Sequence, residues 1–187
     1  MKKLIIASLA VATATTMYGQ GLVNFTTTGG RVSFATVAEG ETAYKVGDLL
    51  GSDFIGAVMY EGKEIGRDKF VTSAKGVASG RTAGGTFAID GLAAGATYTF
   101  TLEAFNAAYE AADKSQLYAG GSDGLYFGKS AAFDYKTGVA GSVDPNDSAL
   151  AMNVESFGVN AYSVPEPTTI ALGILGLSSL LLFRRRD

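Results

Sequence analysis

Val164-Pro165-Glu166-Pro167 is the segment that most constrains how this chain can fold. Proline has no backbone N–H, fixes its own φ and restricts the residue before it, so the tetrapeptide fits neither a helix interior nor a central strand. It is read as an extended, exposed break. It separates a folded domain from whatever follows. Beyond the break lies an apolar run from Thr168 to Phe183, followed by Arg184-Arg185-Arg186 and a final Asp187. As a helix this run of about 16 residues reaches about 24 Å, slightly short of a hydrocarbon core, and the arginines can snorkel to the interface. Arginines at the end of a span keep that end cytoplasmic, which places the preceding domain outside.

The N-terminus independently demands the same orientation. Lys2 and Lys3 form a positive n-region, Leu4 to Val11 an apolar h-region, and Ala12 to Gly19 a small-residue stretch suited to a signal peptidase. Ala12-Thr13-Ala14 fits the small-x-small rule but lies close to the h-region, so a cut between Gly19 and Gln20, or near it, is favoured. About 11 apolar residues are too few to span a bilayer as a permanent anchor. The expected layout is a signal peptide at 1–19, a passenger domain at 20–163 and a tail at 164–187.

The tail resembles the PEP-CTERM sorting domain: a Pro-Glu-Pro motif at Pro165, Glu166 and Pro167, one short transmembrane helix at Thr168 to Phe183, and a basic cluster at Arg184, Arg185 and Arg186. The resemblance implies recognition by an exosortase, a polytopic membrane enzyme thought to cut at or near the motif. It also implies passage through the secretion machinery and signal peptidase. The protein would exist as a single-pass inner-membrane intermediate, then at the cell surface or in the extracellular matrix, where exopolysaccharide is an expected partner.

Composition excludes much chemistry. With no Cys, His or Trp, the chain has no disulfides, thiol nucleophiles, imidazole bases or usual transition-metal ligands, and no enzyme activity or cofactor is expected. A domain of this length can bury enough apolar surface to be stable without disulfides. The net charge of −3 includes Lys2, Lys3 and the three terminal arginines. The passenger is therefore more acidic than the whole, and repels nucleic acid and anionic lipid.

Between the two terminal signals the pattern is all-β, an antiparallel β-sandwich of immunoglobulin/fibronectin III-like or jelly-roll-like type. Predicted strands are Arg31 to Val37, Phe54 to Tyr60, Phe70 to Ser73, Thr86 to Ile89, Thr97 to Phe105, Ala132 to Tyr135 and Met152 to Phe157, separated by Gly and Ser clusters. Glu61-Gly62-Lys63-Glu64 predicts a tight turn into Ile65. Ala107 to Lys114 is the one helical segment, too short to form without tertiary support. The stretch from Phe87 to Ala104, with Leu92, a glycine turn and Tyr98 ahead of an alternating strand, resembles the E to F corner of a fibronectin type III domain. There a tyrosine hydroxyl returns to the backbone a few residues upstream. The absence of Trp and the length of the passenger depart from that family. The passenger also resembles small Gly-rich PEP-CTERM proteins at Asn24-Phe25-Thr26 and Gly128-Lys129-Ser130.

Glu103 or Glu110 could supply one carboxylate of a glycosidase, but the sequence assigns no partner. Asp144, Asn146 and Asp147, or Asp123 and Ser122, offer oxygen ligands without the spacing of a calcium loop, and turn formation explains them. Gly128-Lys129-Ser130 lacks the upstream glycine of a phosphate loop. Aromatic residues are dense in the second half, at Tyr98, Tyr109, Tyr118, Tyr126, Phe127, Phe133 and Tyr135. Most are expected in the core or in cross-strand pairs. Tyr118 and Tyr126 are the candidates for stacking on a glycan, the basis of an alternative reading as a carbohydrate-binding module. The favoured reading is a noncatalytic surface or matrix component.

Overall fold

The computed structural model describes residues 20–72, 79–139 and 151–165. Eleven strands follow in order: β1 (Gln20–Gly29), β2 (Val32–Phe34), β3 (Phe54–Tyr60), β4 (Lys63–Lys69), β5 (Ala83–Ala93), β6 (Thr97–Asn106), β7 (Tyr118–Ala119), β8 (Leu125–Lys129), β9 (Phe133–Lys136), β10 (Ala151–Val154) and β11 (Phe157–Ser163). Between β6 and β7 lie a short helix α1 (Ala107–Ala111) and a single 3-10 turn (Lys114–Gln116). The all-β expectation is correct. The signal peptide and the apolar run at 168–183 lie outside the described residues, and among those described no helix is long and apolar enough to cross a membrane.

One sheet has the order β10-β1-β5; the other runs β2-β11-β8-β6-β3-β4, with β7 added to β11 and β9 to β6. Alternation decides which side chains point inward. Val23 and Phe25 of β1, Leu92 of β5, and Met152 and Val154 of β10 form one apolar cluster with Val58, Phe100, Leu102 and Tyr135 of the larger sheet. A second cluster joins Phe54, Ala104, Tyr126, Val159 and Ala161 to Val32, Phe34, Ala38 and Leu50, which lie on β2 and the connection after it. Phe157 packs against both clusters.

The antiparallel expectation needs correction at two pairs. β1 runs parallel to β10, and β2 parallel to β11. Both partners break at the same level: Gly30 N–H donates to Val154 O (2.7 Å), and Arg31 N–H to Ser156 Oγ (3.0 Å). The two chain segments therefore leave the small sheet together and enter the large one side by side. Hydrophobic alternation specifies a strand's inward face but not the direction of its neighbour, so the parallel pairs carry no local sequence signal.

Strand boundaries differ from expectation for identifiable reasons. Phe54 to Tyr60 matches β3, and the turn is a two-residue connection at Glu61 and Gly62, both with positive φ (49° and 76°). That geometry suits a type I′ hairpin. Of Phe70 to Ser73, Phe70 N–H donates to Phe54 O (3.0 Å) and Phe70 forms an isolated bridge to Thr82, and Ser73 lies outside the described residues. Arg31 to Val37 shortens to Val32–Phe34. Met152 to Phe157 breaks at Glu155-Ser156, where β10 has ended at Val154, and only its last residue, Phe157, belongs to β11. β1, β4, β7, β8 and all of β11 beyond Phe157 are not expected from the sequence; β4 (KEIGRDK) and β1 (QGLVNFTTTG) are too polar or too Gly- and Thr-rich to stand out. Of the predicted helical segment, Ala107–Ala111 forms, capped by the Asn106 side chain accepting from Tyr109 N–H (3.1 Å).

β8 and β9 both pair with the same side of β6 and are separated by a kink. Ser130 bridges it: its N–H donates to Leu102 O (2.8 Å) and its Oγ accepts from Leu102 N–H (2.9 Å). Gly128 and Ser130 thus both serve the sheet. A Cβ at Gly128 would lie 2.9 Å from Val159 Cα and closer still to Gly158 O. Gly128→Ala should therefore force two backbones apart and destabilise the domain by about 1–3 kcal/mol, read as a lowered urea midpoint.

The Tyr98 hydroxyl accepts from Ala93 N–H at 2.7 Å, the upstream return that the corner resemblance implies. The bond lies at the exposed rim rather than in the core, so water can replace it. Tyr98→Phe should cost about 0.5–1 kcal/mol, and an unchanged unfolding midpoint would remove any role for the corner.

Candidate functional site

The site follows from how β11 ends. Val159, Ala161 and Ser163 point inward and are buried, and the strand is edge-bonded over its last residues by β7, with Tyr162 opposite Ala119 and Ser163 opposite Tyr118. Gly120 N–H then donates to Ala161 O (2.8 Å). Val164 N–H, the last donor before the N–H-less Pro165, is taken by the Asp123 carboxylate (2.8 Å). Residues 118–124 thus form a collar around the departing chain. Gly121 (φ 123°) is required there, because a side chain would fall on Ser163 Oγ.

Of the motif residues, Val164 and Pro165 lie at this exit. Glu166, Pro167 and Arg184 to Arg186 lie outside the described residues.

The other predicted residues are dispersed. Tyr126 is 1% exposed, with Phe34 edge-on at 5.1 Å and its hydroxyl accepting from Ala38 N–H (3.1 Å). A glycan cannot reach its ring. Tyr118 is 50% exposed, beside the exit, so the two tyrosines form no common platform. Glu103 is paired with Lys129 (3.1 Å), and Glu110 with Arg67 (2.6 Å), which also holds Glu64 (2.6 Å). Asp123 serves Val164. Asp144, Asn146 and Asp147 lie outside the described residues, and among those described no three acidic side chains cluster as a metal site would require. Tyr109 stacks on Phe127 at 4.8 Å and meets Tyr162 at 5.8 Å, so α1 covers the outer face of the large sheet.

One feature was not anticipated from sequence. A half-open cleft of about 330 Å³ lies between the β3–β4 hairpin and the end of β5, lined by Tyr60, Glu61, Lys63, Ile65, Ile89, Asp90, Gly91 and Leu92. The Tyr60 ring is held edge-on by Tyr98 (5.4 Å) and Phe100 (5.7 Å). Partial desolvation against the sheet, then the hydrogen bond and charge of Glu61, push the Tyr60 phenol above its ordinary value. Glu61-Gly62-Lys63 and Asp90-Gly91 are each legible as turns. Their meeting across 30 residues of chain is not.

Residues 163–186 match the family model of the PEP-CTERM protein-sorting motif. Compared with the curated proteins and with the solved structures, the chain finds no match. The matched segment begins at Ser163, the residue on which β11 ends. The chain therefore carries an exosortase-type sorting signal that abuts the last described strand.

Asp123→Ala should leave the strands intact but free the Val164 amide, raising its hydrogen-exchange rate by about tenfold for the loss of one bond worth about 1.5 kcal/mol, while the Ala161 amide stays protected.

Proposed function

We propose that this chain is a noncatalytic surface or matrix protein whose folded domain is delivered by exosortase processing of the tail, and which associates with exopolysaccharide outside the cell. The PEP-CTERM motif makes it an exported protein with a membrane-held sorting intermediate. The observation that carries the reading is the coincidence of fold end and motif start. Every described strand is complete by Ser163, so a cut anywhere beyond Val164 removes no described strand from either sheet. The enzyme can separate domain from tail without unfolding what it releases.

The exit geometry supports a close approach to the bilayer. From Pro165 to the start of the apolar run at Thr168 the chain reaches at most about 10 Å, so the collar at 118–124 stands next to the membrane surface before cleavage. An exposed tyrosine at that level suits the interface, where amphipathic rings sit, and Tyr118 takes that role instead of a glycan contact. The ion-paired state of Glu103 and Glu110 and the lack of imidazole or thiol support a noncatalytic domain.

Replacing Pro165, Glu166 and Pro167 with Ala should leave the tail inserted and the precursor in the inner membrane at its uncut mass. Replacing Arg184 to Arg186 with Ala should instead weaken membrane retention, since the positive stop is gone. Fractionation with intact-mass measurement distinguishes them. A motif variant that reaches the surface with the parent's mature mass would show that the tail is a plain anchor.

A further inference from the structure

The cleft between the β3–β4 hairpin and β5 lies at the opposite end of the domain from the tail. Along β3 and β6, Phe54 opposes Asn106 at one end and Met59 opposes Thr101 at the other. Asn106 reaches Gly124 O (2.7 Å), within the collar, while Tyr60 continues past Met59 into the hairpin. The distance from Phe100 to Asn106 along the strand is about 20 Å. With the collar at the membrane, the cleft points outward.

Its lining is mixed. Tyr60 gives a ring whose orientation is fixed by two aromatic neighbours; Ile65, Ile89 and Leu92 give an apolar floor. Glu61 and Asp90 bring acceptors and Lys63 a three-donor ammonium, all at exposed positions. A purely apolar ligand would leave those charged groups facing it, and a polyanion would meet two carboxylates against one ammonium. A sugar ring satisfies both parts: its C–H face lies on an aromatic ring, and its hydroxyls donate to carboxylates and accept from the ammonium. The volume falls at the lower end of small-molecule sites, about 300–1,000 Å³, which suits a short saccharide stretch.

We propose that this cleft is a saccharide-binding site for a neutral or amino-sugar glycan, with Tyr60 as the stacking platform and Glu61, Lys63 and Asp90 as the hydroxyl contacts. It deepens the proposed association with exopolysaccharide and rests on that reading only for the origin of the glycan. It is independent of how the tail is cut, so the titration below can fail while the processing experiments succeed, and the reverse.

The test is a titration of the ¹⁵N-labelled full chain in detergent micelles with maltotetraose, cellotetraose, a chitosan tetramer and an oligogalacturonate. A neutral or amino oligosaccharide should shift the Gly62 and Gly91 amides saturably, and the oligogalacturonate should not. Tyr60→Phe keeps the ring and should bind within about twofold of the parent, whereas Tyr60→Ala should lose about tenfold or more. Asp90→Asn and Lys63→Ala, at exposed positions, should each weaken binding and decide the matter if Tyr60→Ala does not fold. Tyr118→Ala, at the far end, should bind as the parent does. The proposal is overturned if no saccharide moves the cleft amides, if the oligogalacturonate binds as well as the neutral sugars, or if Asp90→Asn and Lys63→Ala both bind like the parent.

Discussion

Phe100, Leu102 and Ala104 alternate along β6 and are each no more than 1% exposed. The first two belong to the cluster between the sheets, the third to the cluster under the β2 connection. One strand therefore supplies both halves of the core, and burying a Phe and a Leu contributes about 1.5–3 kcal/mol apiece. β6 can do this because both its edges are occupied, by β3 on one side and by β8 and β9 in succession on the other. Where β8 gives way to β9, the Ser130 hydroxyl takes the Leu102 N–H that no strand reaches. Without that bond a buried donor beside Leu102 would go unpaired, at a cost of about 1–3 kcal/mol.

The parts of the fold that were legible are those written in local pattern. β3 is a continuous apolar run and β6 alternates with aromatic and β-branched residues, and the Tyr98 return is recognisable from the glycine turn at Gly95, three residues before it. β1 was missed because Thr26, Thr27 and Thr28 dilute its pattern; Thr27 is nevertheless buried, where its hydroxyl accepts from Thr82 N–H (2.9 Å). Tyr126 was misplaced because a tyrosine has the same letter whether its hydroxyl finds solvent or the Ala38 amide. The sorting motif was readable because its chemistry is carried by consecutive residues. The collar around its exit was not, since Asp123 and Val164 meet only through tertiary structure.

The charged residues gain a plain explanation from their positions. Arg67 between Glu64 and Glu110, and Lys129 beside Glu103, lie on the outer face of the large sheet. Such exposed pairs stabilise by about 0–1 kcal/mol each. Arg67 and Glu64 belong to β4, an edge strand of the large sheet whose sequence KEIGRDK is mostly charged. Charge on an edge discourages another chain from pairing there.

The two parallel pairings set the order in which this domain can form. The strand that opens the described chain is completed by β10, and β2 is completed by β11; Thr36 Oγ1 accepts from Ala161 N–H across a separation of 125 residues. Contacts this distant carry a high loop-closure cost and form late. The small sheet lacks an edge and the large sheet lacks its second strand until residues 151–163 are on the same side of the membrane as residue 20. The sorting motif begins at Ser163, so the segment that addresses the chain starts on the strand whose pairing makes the last of these distant contacts.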